Sequence, residues 1–264
     1  MTSTGFTAVI LAADRNADDP LVKAAGVSCK ALVKIAGTPM LQRVISALQA
    51  SSRVDAILLS GPEREQLAGD DGLESLLQNG RISWSQPHDS PSNSAWHAMQ
   101  GLPPATRILL TTADHPLLTA EIVDHFLDQA LASGADVAVG AIGYEAIHEK
   151  FPHAKKTVTR FRDGSYCGCN LFAFLTPEAR RVAAAWRRVE QQRKNPLRII
   201  SQLGWWSVIR YLLGRLTLDQ ALAQLSERLS VTIRPVLLPF PEAAIDVDSI
   251  ADQALVEGIT GTDS

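Results

Sequence analysis

The sequence predicts an α/β protein on an open, mixed but mainly parallel sheet flanked by helices, with a helical insertion at residues 176–229. Three observations carry that expectation. Short apolar runs suited to buried strands alternate with segments whose apolar residues recur every three or four positions. The first run, Val9-Ile10-Leu11, leads through the small pair Ala12-Ala13 into a long polar loop that ends at Lys30. The turn at Asp163-Gly164 adds an antiparallel hairpin to an otherwise alternating order, because Asp-Gly accommodates positive φ. At 264 residues the chain can bury a full core, and the expectation is one domain over 1–264 with the insertion packed on it.

In chain order, the first strand ends at Leu11 and small residues let backbone approach a ligand at Ala12 and Ala13. Asp14 and Arg15 open the polar loop, and Lys23 and Lys30 are its cations. Open α/β sheets bind ligands beyond the carboxyl ends of their strands, so this loop is a candidate anion cradle. Pro39 suits the first turn of a helix that carries Met40, Leu41, Val44, Ile45 and Leu48 on one face. Strands follow at 54–59 and 82–84 with a helix at 67–77 between them. The polar stretch Gln86 to Ser94 precedes a helix at 95–102 that Ser92, Asn93 or Ser94 is suited to cap.

Residues 107–112 form the most strand-like run and end in Ala113-Asp114-His115-Pro116. A carboxylate just past a buried strand needs a partner, and Mg²⁺ carrying nucleotide phosphates is a suitable one. His115 reads either as a phosphate contact or as an ordinary loop histidine. Thr119 caps a helix at 121–131. A strand at 136–141, a polar stretch at 144–156 and strands at 157–161 and 166–174 come next. Gly168 within the last of these marks a bulge or a close ligand approach. Lys155 and Lys156 read first as solvated surface lysines and second as phosphate neutralisers.

The insertion opens at Thr176-Pro177-Glu178 with a helix carrying Arg180, Arg181, Arg187, Arg188, Arg193 and Lys194. Asn195-Pro196 breaks it. A second helix bears Leu197, Ile200, Leu203, Trp206, Ile209 and Leu213, with Trp205, Arg198, Arg210 and Arg215. A third runs through Leu218, Leu222, Leu225 and Leu229. Aromatic stripes usually mean core, so these helices are expected to pack on the sheet or at a homodimer interface. The alternative is a basic lid that meets an anionic or amphiphilic acceptor at a bilayer face, a peripheral membrane contact. A last strand at 231–238 leads to Asp246 and Asp248, which alternate with apolar residues and so point to one side, free of other duties if Ser249 caps the closing helix at 250–257.

Composition narrows the function. With 46% hydrophobic residues, 20% charged residues and a net charge of −3, the chain is ordinary for a soluble domain and gives no reason to expect a nucleic-acid partner. Three cysteines make no disulfide framework, and Cys167-Gly168-Cys169 lacks the second pair of a zinc site. With no signal peptide pattern, a reducing, cytoplasmic location is expected. The most apolar stretch, 199–213, is too short and too interrupted to span a membrane.

Leu11-Ala12-Ala13-Asp14, Lys30-Ala31-Leu32 with Gly37-Thr38-Pro39-Met40-Leu41, Ala113-Asp114-His115-Pro116 and Asp246-Val247-Asp248-Ser249 occur in an order that resembles one family. It is the MobA-like NTP transferases, nucleotidyltransferases of Rossmann-like, glycosyltransferase-A-like fold that include molybdenum cofactor guanylyl- and cytidylyltransferases and sugar- and polyol-phosphate cytidylyltransferases. The resemblance implies that Asp114 and Asp248 hold Mg²⁺ and that Lys30 stabilises the triphosphate. It also implies nucleotide contacts from Leu11 to Arg15, a serine-ended loop over the base giving Ser94 with Pro87 and Ser92, and an acceptor side at Gly168, Asn170 and Lys156. Asp14 stands where the family has glycine, and only Arg15 can stand for its loop arginine. The implied reaction moves CMP first, or GMP second, from CTP or GTP to a phosphorylated or hydroxyl acceptor and releases pyrophosphate. Two other readings stand beside it: a nucleotide-sugar-dependent glycosyltransferase, which Lys30 argues against, and a non-catalytic nucleotide-binding regulatory protein, which Asp14 keeps open.

Overall fold

The computed structural model describes residues 5–14, 18–68, 70–191 and 213–261. Its strands are β1 (Phe6–Leu11), β2 (Lys34–Ile35), β3 (Thr38–Pro39), β4 (Val54–Ser60), β5 (Ser83–Ser85), β6 (Ile108–Thr112), β7 (Val137–Gly143), β8 (Thr159–Phe161), β9 (Gly164–Phe174) and β10 (Ile233–Leu237). Its helices are α1 (Pro20–Ala25), α2 (Met40–Ala50), α3 (Arg64–Leu67), α4 (Asp71–Gln78), α5 (Pro91–Gln100), α6 (Ala120–Ala132), α7 (Tyr144–Lys150), α8 (Arg180–Gln191), α9 (Leu218–Leu229) and α10 (Ile250–Gly261).

Among the described residues the main sheet runs β10-β7-β9-β6-β1-β4-β5, with β8 beside β9 and a separate β2-β3 pair. β1 is parallel to β4 and β6, β4 to β5, and β10 to β7. β9 runs antiparallel between β6 and β7, and the Asp163-Gly164 turn joins it to β8, so the sheet is mixed and mainly parallel. The central strands are covered on both faces, which is why Ala8-Val9-Ile10 and Ile108-Leu109-Leu110 read as unbroken apolar runs. One face packs on Met40, Leu41 and Ile45 of α2 and Val123, Phe126 and Leu127 of α6. The other packs on Ala95, Ala98 and Met99 of α5 and Ala183 of α8, with Leu222 and Leu225 of α9 against it.

Among the described residues of the insertion, α8 and α9 pack on that second face. Arg193, Lys194 and the expected helix at 197–213 lie outside the described residues, apart from Leu213 itself, which is exposed. Four other expectations shift. The helix expected at 67–77 is two helices, α3 and α4, with Asp70 accepting from the Leu73 N–H at 3.0 Å to cap the second. The cap of α5 is Ser90, followed by Pro91 at the first helical position, so Ser92, Asn93 and Ser94 lie inside the first turn. The polar stretch after β7 contains α7. A 3₁₀ turn at Pro177–Ala179 precedes α8. Among the described residues no helix is long and apolar enough to cross a membrane.

The register brings three chain segments to one edge. Leu11 aligns with Ser60 of β4 and Thr112 of β6. Beyond that line the Ala12 N–H donates to the Ser60 carbonyl at 3.0 Å and the Ala113 N–H to the Leu11 carbonyl at 3.0 Å. The loops after β1 and β6 therefore leave the sheet side by side.

Candidate active site

At this edge a cavity of about 310 Å³ opens above the ends of β1 and β6. Its lining includes Leu11, Ala12, Ala13 and Asp14, the charged Lys30 and Asp114, and Asn170, Asp246 and Asp248. The polar loop turns back at the 3₁₀ turn Lys30–Leu32, which sends the Lys30 side chain inward. Its ammonium donates to Asp114 Oδ2 at 3.1 Å and to Asp248 Oδ1, joining residues from opposite ends of the chain. Burial alone would lower the pKa of Lys30, but the Asp114 and Asp248 carboxylates outweigh it and hold the ammonium above its usual value.

Asp114 is fixed by its neighbours. Its Oδ1 accepts from the Thr112 hydroxyl at 2.6 Å and lies 3.0 Å from His115 Nδ1. Asn170 Nδ2 in turn donates to the Thr112 hydroxyl at 3.3 Å. Burial opposes ionisation of Asp114, yet the His115 contact, the Lys30 charge and the Thr112 hydroxyl together keep its carboxyl far below the usual range. His115 is buried, its Nδ1 3.0 Å from Asp114 Oδ1 and 3.1 Å from the Thr112 hydroxyl, so the ring braces the aspartate. Both oxygens of Asp14 accept from the Lys30 backbone N–H, at 3.0 and 3.2 Å. Burial raises the Asp14 pKa, the Lys30 N–H offsets part of that, and Asp19 at the same mouth adds to it.

Asp246 and Asp248 both face the cavity, as their alternation requires, but neither is free. Asp246 Oδ1 accepts from the Lys156 ammonium, parallel to the Asp248–Lys30 pair. The Lys156 side chain is only 8% exposed, so it is not a solvated lysine, whereas Lys155 is exposed. Ser249 does cap α10, accepting from the Asp252 N–H at 3.3 Å.

Not every expected residue reaches the cavity. Ser92 and Ser94 are buried, and Ser94 Oγ accepts from the His88 N–H at 2.9 Å, which shapes the 86–90 loop from within. Pro87 abuts Gly61, where a Cβ would come within 3.1 Å of the proline Cβ. Gly168 is exposed and outside the lining, while Asn170 lies within it. Arg15 lies outside the described residues. Three lining residues, Asp19, Pro91 and Thr112, belong neither to the expected site residues nor to the motifs that point to them. Only Thr112 carries a local signal, a hydroxyl two residues before the aspartate at a strand end.

A family model described as the MobA-like NTP transferase domain matches residues 8–231. Among solved structures, a hypothetical transferase from Thermus thermophilus is 29% identical with a TM-score of 0.79, covering 94% of this chain and 99% of its own. At the level of fold the chain is also similar to 4-diphosphocytidyl-2C-methyl-D-erythritol synthase from Anaerococcus prevotii, 12% identical with a TM-score of 0.59 over 98% of this chain and 96% of that one. A CMP:2-keto-3-deoxy-manno-octonic acid synthetase complexed with CTP is 14% identical with a TM-score of 0.58 over 98% and 100%. The bifunctional protein GlmU of Synechococcus sp. (strain CC9605) is 32% identical over 119 residues, which are 42% of this chain and 24% of that relative. The chain thus belongs to the MobA-like NTP transferase family.

Proposed function

We propose that this chain transfers a nucleoside monophosphate group from a nucleoside triphosphate to a phosphorylated or hydroxyl acceptor, with Mg²⁺ and with release of pyrophosphate. The observation that carries the reading is the convergence of Lys30, Asp114 and Asp248 on one cavity at the carboxyl ends of parallel strands. The donor chemistry fits the metal: Asp114 Oδ2 and Asp248 Oδ1 already share one cationic centre, the Lys30 ammonium. Mg²⁺ commonly takes one or two carboxylates and completes its octahedron with water and phosphate oxygens, so no all-protein cage is called for. Asp114 and Asp248 would hold the ion, which would supply charge neutralisation at the triphosphate.

Lys30 offers its ammonium to the same phosphates, and the Ala12-Ala13 backbone forms the wall along which they lie. Asn170 and Asp246 line the side offered to the acceptor, and Lys156, outside the lining, pairs with Asp246. In-line attack then needs positioning and charge neutralisation, not a covalent nucleophile. CTP is the first donor and GTP the second; two of the fold neighbours carry cytidine nucleotides in their names.

Calorimetric titration of each of the four nucleoside triphosphates, with and without Mg²⁺, on wild type and Asp114→Ala tests the reading. The expected result is Mg²⁺-dependent binding of one triphosphate that the variant loses, followed by pyrophosphate release when the acceptor is supplied. Binding of none of the four by folded protein overturns it and moves nucleotide-sugars to the front.

A further inference from the structure

Among the described residues, the helical segment after β9 meets the turn beside the candidate nucleotide cavity through the Glu190 side chain. α8 runs opposite to α5: at its start Arg180 donates to the Leu102 and Pro103 carbonyls past the end of α5, at 3.1 and 2.6 Å. At its far end Glu190 Oε2 accepts from the Ser92 N–H at 3.0 Å, in the first turn of α5. Between these ends Ala183 packs in the same cluster as Ala95, Ala98 and Met99.

The first turn of α5 has a particular need for that acceptor. The Asn93 N–H is taken by the Ser90 hydroxyl and the Ser94 N–H by the Ser90 carbonyl, while Pro91 has none to offer. The Ser92 N–H is left for a group from outside the helix, and a carboxylate at a helix N-terminus makes a charge-assisted bond with the helix dipole in its favour. Pro91, the residue before Ser92, lines the cavity. The loop that enters this turn is held from within by Ser94, whose hydroxyl accepts from the His88 N–H, and Glu190 holds the turn from without.

We propose that Glu190 is a positioning residue for the donor pocket: from the inserted helix it fixes the first turn of α5, and with it Pro91, against the cavity that receives the nucleotide. The proposal rests on the donor reading above. Glu190→Ala and Glu190→Gln test it with two readouts, the kinetics with the triphosphate that wild type binds and amide hydrogen exchange over residues 86–95.

Loss of one hydrogen bond to a charged group at the pocket wall is expected to raise the KM for the triphosphate roughly tenfold in Glu190→Ala, with kcat nearly unchanged. Exchange over 86–95 is expected to quicken in the same variant, while that of α2 is unchanged. Glu190→Gln keeps an acceptor oxygen and is expected to recover most of both effects. An unchanged KM, an unchanged exchange rate, or a glutamine variant no better than alanine overturns the proposal. If wild type binds no triphosphate, the donor reading fails and the pocket role falls with it, whereas normal binding with an unaffected Glu190→Ala removes the positioning role alone.

Discussion

Asp114 receives its hydrogen bonds on one oxygen and presents the other to a cation. Thr112 and His115 both meet Oδ1, leaving Oδ2 for Lys30. On the proposed Mg²⁺ reading Asp114 would be a metal ligand, and groups that orient such a ligand typically contribute 10- to 100-fold in metal affinity or activity. Thr112→Val keeps the shape and removes the donor, so Mg²⁺ affinity measured in the presence of the bound triphosphate is expected to fall by about 10- to 100-fold with little change in Tm. Lys30→Ala is expected to lower kcat/KM by roughly 10²- to 10³-fold, as loss of a charge aimed at a developing anion does; a steady-state assay of pyrophosphate release checks it. At this scale the short local motifs drew attention to Lys30, Asp114 and Asp248, and the structure brings these three side chains together. Nothing in those motifs showed that His115 serves the aspartate, since that depends on a rotamer fixed by burial.

The same division holds for β9. Between its pairs with Val139 and Ala141 of β7, β9 passes from Phe172 to Gly168, so four residues advance against two. The surplus bulges at Asn170, whose φ of +52° is the left-handed conformation that asparagine tolerates better than most residues. Gly168 signalled a bulge in the sequence, but the glycine that permits it is Gly140 on the neighbouring strand. A Cβ there would lie 2.5 Å from Cys169 Sγ and 3.2 Å from the Leu171 carbonyl oxygen. Gly140→Ala is therefore expected to destabilise the protein by about 1–3 kcal/mol, read as a lower Tm, and to weaken activity by moving Asn170. A second element-level contact joins α6 to the loop after α2. Burial opposes ionisation of Asp124, but the Ser51 and Ser52 hydroxyls and the Ser52 and Arg53 N–H groups outweigh it and lower its pKa. Its folded pKa lies below the unfolded one, so the stabilisation is full above the usual 3.8 and is lost as pH falls through the lowered value. Asp124→Asn is expected to be less stable than wild type at neutral pH and to converge with it in acid, in denaturant titrations run across that range.

Across the whole molecule, Asp136 ties three strands, accepting from the Thr176 hydroxyl after β9 and from the Thr232 N–H before β10, both at 2.7 Å. Asp136→Ala leaves both donors without this acceptor and is expected to cost about 1–3 kcal/mol in chemical unfolding. The sequence by itself determined the alternation of strands and helices, the buried character of β1 and β6, the core faces of α2 and α6, and the order of the three site motifs. Periodicity and continuous apolar runs record burial within a few residues, and such signals are local. The tertiary structure alone decided which polar groups meet: Lys30 with residues 84 and 218 positions away, Lys156 with Asp246 at 90, and the Ser92 N–H with Glu190 at 98. Those pairings follow from the crossover order that sets β1 between β4 and β6 and returns the chain's last extended segment to the Asp114 carbonyl, to which the Val247 N–H donates at 3.0 Å. No window of sequence spans such distances, so Lys156 reads as a surface lysine until the fold buries it beside an aspartate.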